Sequence, residues 1–168
     1  MERGDAWSAG PVGGADTGRD ELLRVAERAA RATRGPTDGQ VVTAAVVCEL
    51  CGSGDFDSAE FEVWDGECYC VGCLLPIGVR DGDVLTRTFQ RPDAPPWALA
   101  PTETPGIPAR PAEYFKCPEG HGVFQVAVAL VLDGDASVRA ISVGLRCPED
   151  GGVHLFIDNA QVMPRKAP

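Results

Sequence analysis

The placement of cysteines and histidines constrains this chain more than any other feature. Cys48 and Cys51 are separated by two residues, and Cys70 and Cys73, after eighteen intervening residues, repeat that gap. A two-residue gap lets the chain turn so that both sulfurs point to one side, and two such loops supply the four thiolates of a tetrahedral metal site. Gly52, directly after Cys51, tolerates the positive φ that such turns often need. Further along, Cys117-Pro-Glu-Gly-His121 and Cys147-Pro-Glu-Asp-Gly-Gly-Val-His154 each combine a cysteine with a histidine. The eight residues make two sets of four, and they use both histidines and all 7 cysteines except Cys68. We therefore expect two zinc ions per chain. Cys48, Cys51, Cys70 and Cys73 would hold the first, and Cys117, His121, Cys147 and His154 the second.

Other chemistry for these residues is less well matched. Thiolate tetrahedra also suit iron, but tight, isolated pairs favour zinc. A redox dithiol would open a helix in a βαβ setting, which neither two-residue gap does. Cys68 reads as a spectator thiol, with replacement of Cys70 as its alternative role, since a Cys68-x4-Cys73 spacing is also feasible. If His154 did not bind, the second site would be open to water, and Glu119 or Glu149 beside it could serve as a base. The sequence patterns of zinc deaminases, nucleophile elbows and phosphate loops are missing, so an enzyme is not expected.

Around these residues the chain divides into segments. Residues 1–18 are small, polar and aperiodic, and read as a disordered tail. Residues 19–35 read as a helix, with Leu22, Ala26 and Ala29 beside Leu23 and Ala30 as its apolar stripe, and Gly35-Pro36 as its stop. That stripe is mostly alanine, so the helix should dock on something larger. Residues 40–47 read as a strand, with a second short helix as the alternative, leading into a four-cysteine unit spanning 40–91, with a hairpin at Asp65-Gly66 and Phe61 and Trp64 as its few aromatics. Residues 92–111 hold seven of the 14 prolines, so 92–112 reads as an extended linker, clipped to a surface by Trp97. Residues 113–168 form the Cys/His unit, a β-meander. Phe124, Val126, Val128, Leu130 and Leu132 share one face of its first strand, Ile141, Val143 and Leu145 one face of the second, and Val153 to Ile157 form a shorter third. The expected class is small α+β, mostly antiparallel β, with one N-terminal helix.

The second unit resembles a zinc ribbon, in which two knuckles pin a three-stranded antiparallel sheet. It departs from the common pattern in using His121 and His154. The first unit is similar to treble-clef fingers of the GATA type, from knuckle Cys48/Cys51 through the hairpin to Cys70/Cys73. Pro76 departs from that pattern, because a treble clef continues into a helix, and the basic DNA-reading residues of GATA fingers are absent. These resemblances are architectural. They imply fold and metal rather than an activity.

Charge narrows the function. The formal net charge of the 168-residue chain is −10. Residues 40–91 carry 9 acidic and 3 basic side chains, and residues 113–168 carry 7 and 5. Such a chain is a poor partner for phosphate backbones or anionic lipid. A nucleic-acid contact would have to use Arg24, Arg28 and Arg31 on the helix. The N-terminal segment has no apolar core of a signal peptide, so a cytoplasmic protein is expected, and the residue bias suggests a GC-rich bacterium. The strand over 123–132 is apolar on both faces, so the second face needs the first unit, the helix or a partner. We expect this sheet to pack on the first unit or to form a dimer. The expected role is a zinc-binding adaptor or regulator working through protein interaction. A zinc-finger transcription regulator is the alternative, and a zinc enzyme with an open second site the third.

Overall fold

The structure, a computed structural model, describes residues 7–8, 15–32, 39–57, 67–74, 76–78, 97–99, 116–134 and 137–164. Among these residues there is one helix, α1 (Ala15–Ala32), and eight strands: β1 (Gln40–Ala45), β2 (Phe56–Asp57), β3 (Glu67–Cys70), β4 (Pro76–Gly78), β5 (Trp97–Leu99), β6 (Val123–Leu132), β7 (Val138–Arg146) and β8 (Val153–Pro164). All strand pairings are antiparallel, and the order is β4-β3-β2-β6-β7-β8-β5, with β1 also paired to β6. This is a small α+β fold.

β6 organises the sheet. Its ten residues form a long apolar run whose alternation puts Phe124, Val126, Val128, Leu130 and Leu132 on one face and Ala127, Ala129 and Val131 on the other. β7 pairs along one edge of β6 from Gln125↔Arg146 to Leu132↔Val138. β1 and β2 share the opposite edge end to end. β1 pairs with 127–132, and Phe56 and Asp57 of β2 face Phe124 and Val123. The Cys48/Cys51 loop fills the gap between these two strands.

The alanine face of β6 is covered by α1. Leu22, Ala26 and Ala30 pack on Ala127, Ala129, Val131 and Ala140. Small side chains on both surfaces let the helix come close. At Gly144 a Cβ would lie 3.0 Å from Leu22 Cδ1. Arg24, Arg28 and Arg31 are exposed, as their spacing predicts. The larger apolar face packs with Val46 and Phe56 from the first cysteine segment, with Ile141, Val143 and Leu145, and with Ile157 and Ala160 of β8.

Several boundaries differ from expectation. The segments read as separate 40–91 and 113–168 units share one sheet and one core, because β2 pairs with β6. The expected tail contributes ordered structure. α1 begins at Ala15, and Ser8 forms a two-way backbone bridge with Val153 at 2.9 Å each way. The expected linker contains β5, which pairs with the C-terminal end of β8. An edge position needs ladder bonds on one side only, so prolines nearby do not forbid it. The hairpin turn at Asp65-Gly66, with Phe61 and Trp64, and the helix stop at Gly35-Pro36 lie outside the described residues. Among the described residues no helix is long and apolar enough to cross a membrane.

β8 runs further than the expected third strand because a bulge keeps it in register. Ile141 faces Ala160 and Val143 faces Ile157, so Asp158 and Asn159 together oppose Ser142. Asn159 takes φ 45°, and its N–H donates to the buried Ser142 Oγ at 2.9 Å.

Candidate metal centres

Four loops carry the candidate ligands, and their backbones follow one rule. In the first, Gly52 N–H donates to the Cys48 carbonyl at 2.8 Å, and Cys48 N–H to the Ser53 carbonyl at 2.8 Å. In the second, Leu74 N–H donates to the Cys70 carbonyl at 2.8 Å. In the third, Gly120 N–H donates to the Cys117 carbonyl and Cys117 N–H to the His121 carbonyl, at 2.8 and 2.9 Å. In the fourth, Gly151 N–H donates to the Cys147 carbonyl and Cys147 N–H to the Gly152 carbonyl, at 2.9 and 2.8 Å. Each loop turns through a residue at positive φ: Gly52 (76°), Leu74 (64°), Gly120 (92°) and Gly151 (76°).

Cys48, Cys51, Cys70 and Cys73 converge, with their sulfurs all within 4.8 Å of one another. The Cys48–Cys73 separation is 3.5 Å and the Cys51–Cys70 separation 3.4 Å. Both are far longer than a disulfide and close to the ~3.8 Å edge of a thiolate tetrahedron. The space is kept clear on purpose: a Cβ at Gly72 would lie 2.9 Å from Cys51 Sγ. The Cys51 N–H draws the Cys48 thiol down to about 6, against the opposing effect of burial. Cys68 takes part through its backbone, facing Ile77 across the β3–β4 ladder, and its side chain lies outside the described residues.

The second group is Cys117, His121, Cys147 and Asp150. His121 Nδ1 lies 3.3 Å from Cys117 Sγ, 3.4 Å from Cys147 Sγ and 3.4 Å from Asp150 Oδ2. Cys117 Sγ lies 3.2 Å from Asp150 Oδ2. A mixed sulfur, nitrogen and oxygen tetrahedron has edges of roughly 3.4–3.8 Å, so the donor set fits one ion. The expected fourth member, His154, is placed elsewhere. It sits in β8 opposite Leu145 and stacks on Trp7 with ring centroids 5.1 Å apart. The fourth donor atom near Cys117, His121 and Cys147 belongs to Asp150.

Outer contacts hold these ligands in place. His121 Nε2 lies 3.2 Å from Glu149 Oε2, on the side of the ring away from the thiols. A carboxylate on the far nitrogen is the usual support for a metal-binding imidazole. Asp150 Oδ1 accepts from the Gly152 N–H at 2.7 Å. Burial disfavours the charge on Asp150, but that N–H, the thiols of Cys117 and Cys147 and His121 outweigh it and hold the carboxyl below its usual range. Burial pushes the Cys147 thiol up to about 11, against the N–H groups of Asp150 and Glu149.

Asp150 was legible in principle. Cys147-x2-Asp150-Gly151 has the spacing of Cys48-x2-Cys51-Gly52, and a search for cysteine and histidine alone passes over it. Compared with known protein families, with curated proteins and with solved structures, the chain gives no match. What the fold and the two groups define is a small α+β protein with two cysteine-rich sites that could bind metal.

Proposed function

We propose that this chain is a zinc-binding protein with two structural zinc sites, acting as a protein-interaction adaptor or regulator. The observation that carries the metal reading is the convergence of four donors twice over, four thiols in one group and two thiols, an imidazole and a carboxylate in the other. Thiolate and imidazole donors in fours suit zinc, and four protein donors mark a structural rather than a catalytic site. Zinc would supply a fixed tetrahedral cross-link, worth an apparent 10–16 kcal/mol, order of magnitude, in small zinc-dependent units. The knuckle geometry supports the ribbon resemblance, while after Cys73 the chain enters strand β4 where a treble clef would have a helix. Six described cysteines carry free thiols, which suits the cytoplasm.

The interaction role rests on the acidic balance of the chain. A nucleic-acid role would draw on the arginines of α1, and two of them are engaged along the helix. Arg24 pairs with Glu21 at 3.2 Å and Arg31 with Glu27 at 2.8 Å. The enzyme reading needs an open second site, and Asp150 supplies a fourth donor there.

Native mass spectrometry of the purified chain tests this reading. Two zinc ions per chain are expected, together with any bound second chain. A chain that carries no metal when purified in zinc-replete medium would sink the structural-zinc reading. Tight binding to random DNA at low salt, followed by fluorescence anisotropy, would favour the transcription-regulator alternative.

A further inference from the structure

We propose that the tips of the first two knuckles form a docking surface for a basic, apolar segment of a partner protein, one that intersperses large apolar side chains with lysine or arginine. The proposal deepens the adaptor reading above and rests on it, since the metal-held loops are what present the surface.

Five large apolar residues are exposed among the described residues, and four of them sit on these two loops. Val47 is 40% exposed, Leu50 71%, Val71 48% and Leu74 71%; the fifth is Met163. Val47 and Leu50 flank Cys48, while Val71 and Leu74 flank Cys70 and Cys73. The four sulfurs lie within 4.8 Å of one another, so the two loops that carry these apolar residues are neighbours. Clustered exposure of this kind marks an interaction site, unlike scattered single residues.

Leu74 adds a second, independent observation. It occupies the turn position held by Gly52 and Gly151, four residues after the cysteine, at φ 64°. A side chain is strained there, and glycine would relieve the strain. The leucine does not repay it by packing, because it stands outside both core clusters and is largely in solvent. Strain kept without a gain inside the chain points to a gain outside it.

Charge selects the partner. Residues 39–57 and 67–74 include Glu49, Asp55, Asp57 and Glu67 and no lysine or arginine. Four thiolates on a divalent ion leave about two further negative charges. One cation stands beside the first loop: the Arg19 guanidinium approaches Gly54 from α1. A second copy of this chain, at net −10, meets repulsion, whereas a cationic segment gains both steering and apolar burial.

The test selects binders to the immobilised full chain, with its metal in place, from a library of random peptides of about a dozen residues. Selected peptides are then measured by fluorescence anisotropy against wild type, Leu50→Ser and Leu74→Gly, with metal content followed in parallel by native mass spectrometry. The expected result is a consensus of Leu, Ile or Phe among Lys and Arg. Its affinity should fall about tenfold or more in each variant, while both variants keep their metal. Peptides that bind both variants as tightly as wild type, an acidic consensus, or no enrichment would overturn the proposal. A dimer that Leu74→Gly dissolves would assign the surface to a second copy instead, and would overturn it too. A wild-type chain without metal would mark failure of the zinc reading on which this proposal rests, whereas unchanged peptide affinity in variants that keep their metal marks failure of this proposal alone.

Discussion

Asp150 stands to Cys147 as Cys51 stands to Cys48. Each lies three residues after its cysteine and is followed by a glycine at φ 76° whose N–H returns to the cysteine carbonyl, at 2.9 Å for Gly151 and 2.8 Å for Gly52. The equivalence places Asp150 among the four candidate donors of the second group, whereas His154 stacks on Trp7 beside Phe124. Asp150→Ala should therefore leave the chain one metal ion short, and Asp150→Cys should restore the full complement. His154→Ala should keep every ion and lower stability by about 0.5–1.5 kcal/mol through the lost stacking. Native mass spectrometry and urea denaturation read the two effects separately. Loss of metal from the His154 variant would reverse the assignment.

Glu149 acts on the second site through His121. Glu149→Gln keeps the shape but removes the carboxylate charge 3.2 Å from Nε2, so metal affinity at that site should fall by roughly 10–100-fold. Competition with a chromophoric chelator measures it. The four-thiol site should be unchanged in the same titration.

In metal-free protein the two groups should titrate apart. Cys48, drawn to about 6, contributes stability above the ordinary thiol value near ~8.5, and that contribution is lost as pH falls through about 6. Cys147, pushed up to about 11, contributes below the ordinary value, and its share is lost as pH rises through about 11. Alkylation mapped by peptide mass spectrometry should show Cys48 gaining reactivity near pH 6 and Cys147 only near pH 11. Merged midpoints at the ordinary value would mean that the knuckle backbone does not persist without metal.

The helix interface should be separable from the metal. Leu22→Ala removes a fully buried side chain from between α1 and β7 and should cost about 2–5 kcal/mol. Gly144→Val would drive a side chain into Leu22, and should cost about 1–3 kcal/mol by overpacking. Thermal denaturation reports both, with metal stoichiometry expected to stay as in wild type.

Much of this was readable along the chain, because it depends on neighbours in sequence. A two-residue gap between cysteines dictates a knuckle, and Cys48, Cys51, Cys70 and Cys73 do converge. Alternation over 123–132 and 138–146 assigns the right residues to each face of β6 and β7, and the alanine stripe of α1 meets the alanine face of β6. The strand at 40–45 follows from its β-branched run.

The remainder was settled between residues far apart. Pairing of Phe56 with Phe124 joins two segments that a proline-rich stretch separates in sequence, and local propensity carries no information about which edge a two-residue strand will find. The choice of Asp150 over His154 turned on direction. In β8 successive side chains alternate, and the one at 154 points to Trp7, while the turn at Gly151 aims the carboxylate at His121 and the thiols. Composition and spacing thus determined that this protein has metal-type knuckles and an apolar meander with a docking helix. Tertiary structure alone decided that they share one core and which oxygen or nitrogen completes the second site, because both depend on where the backbone carries a side chain in space.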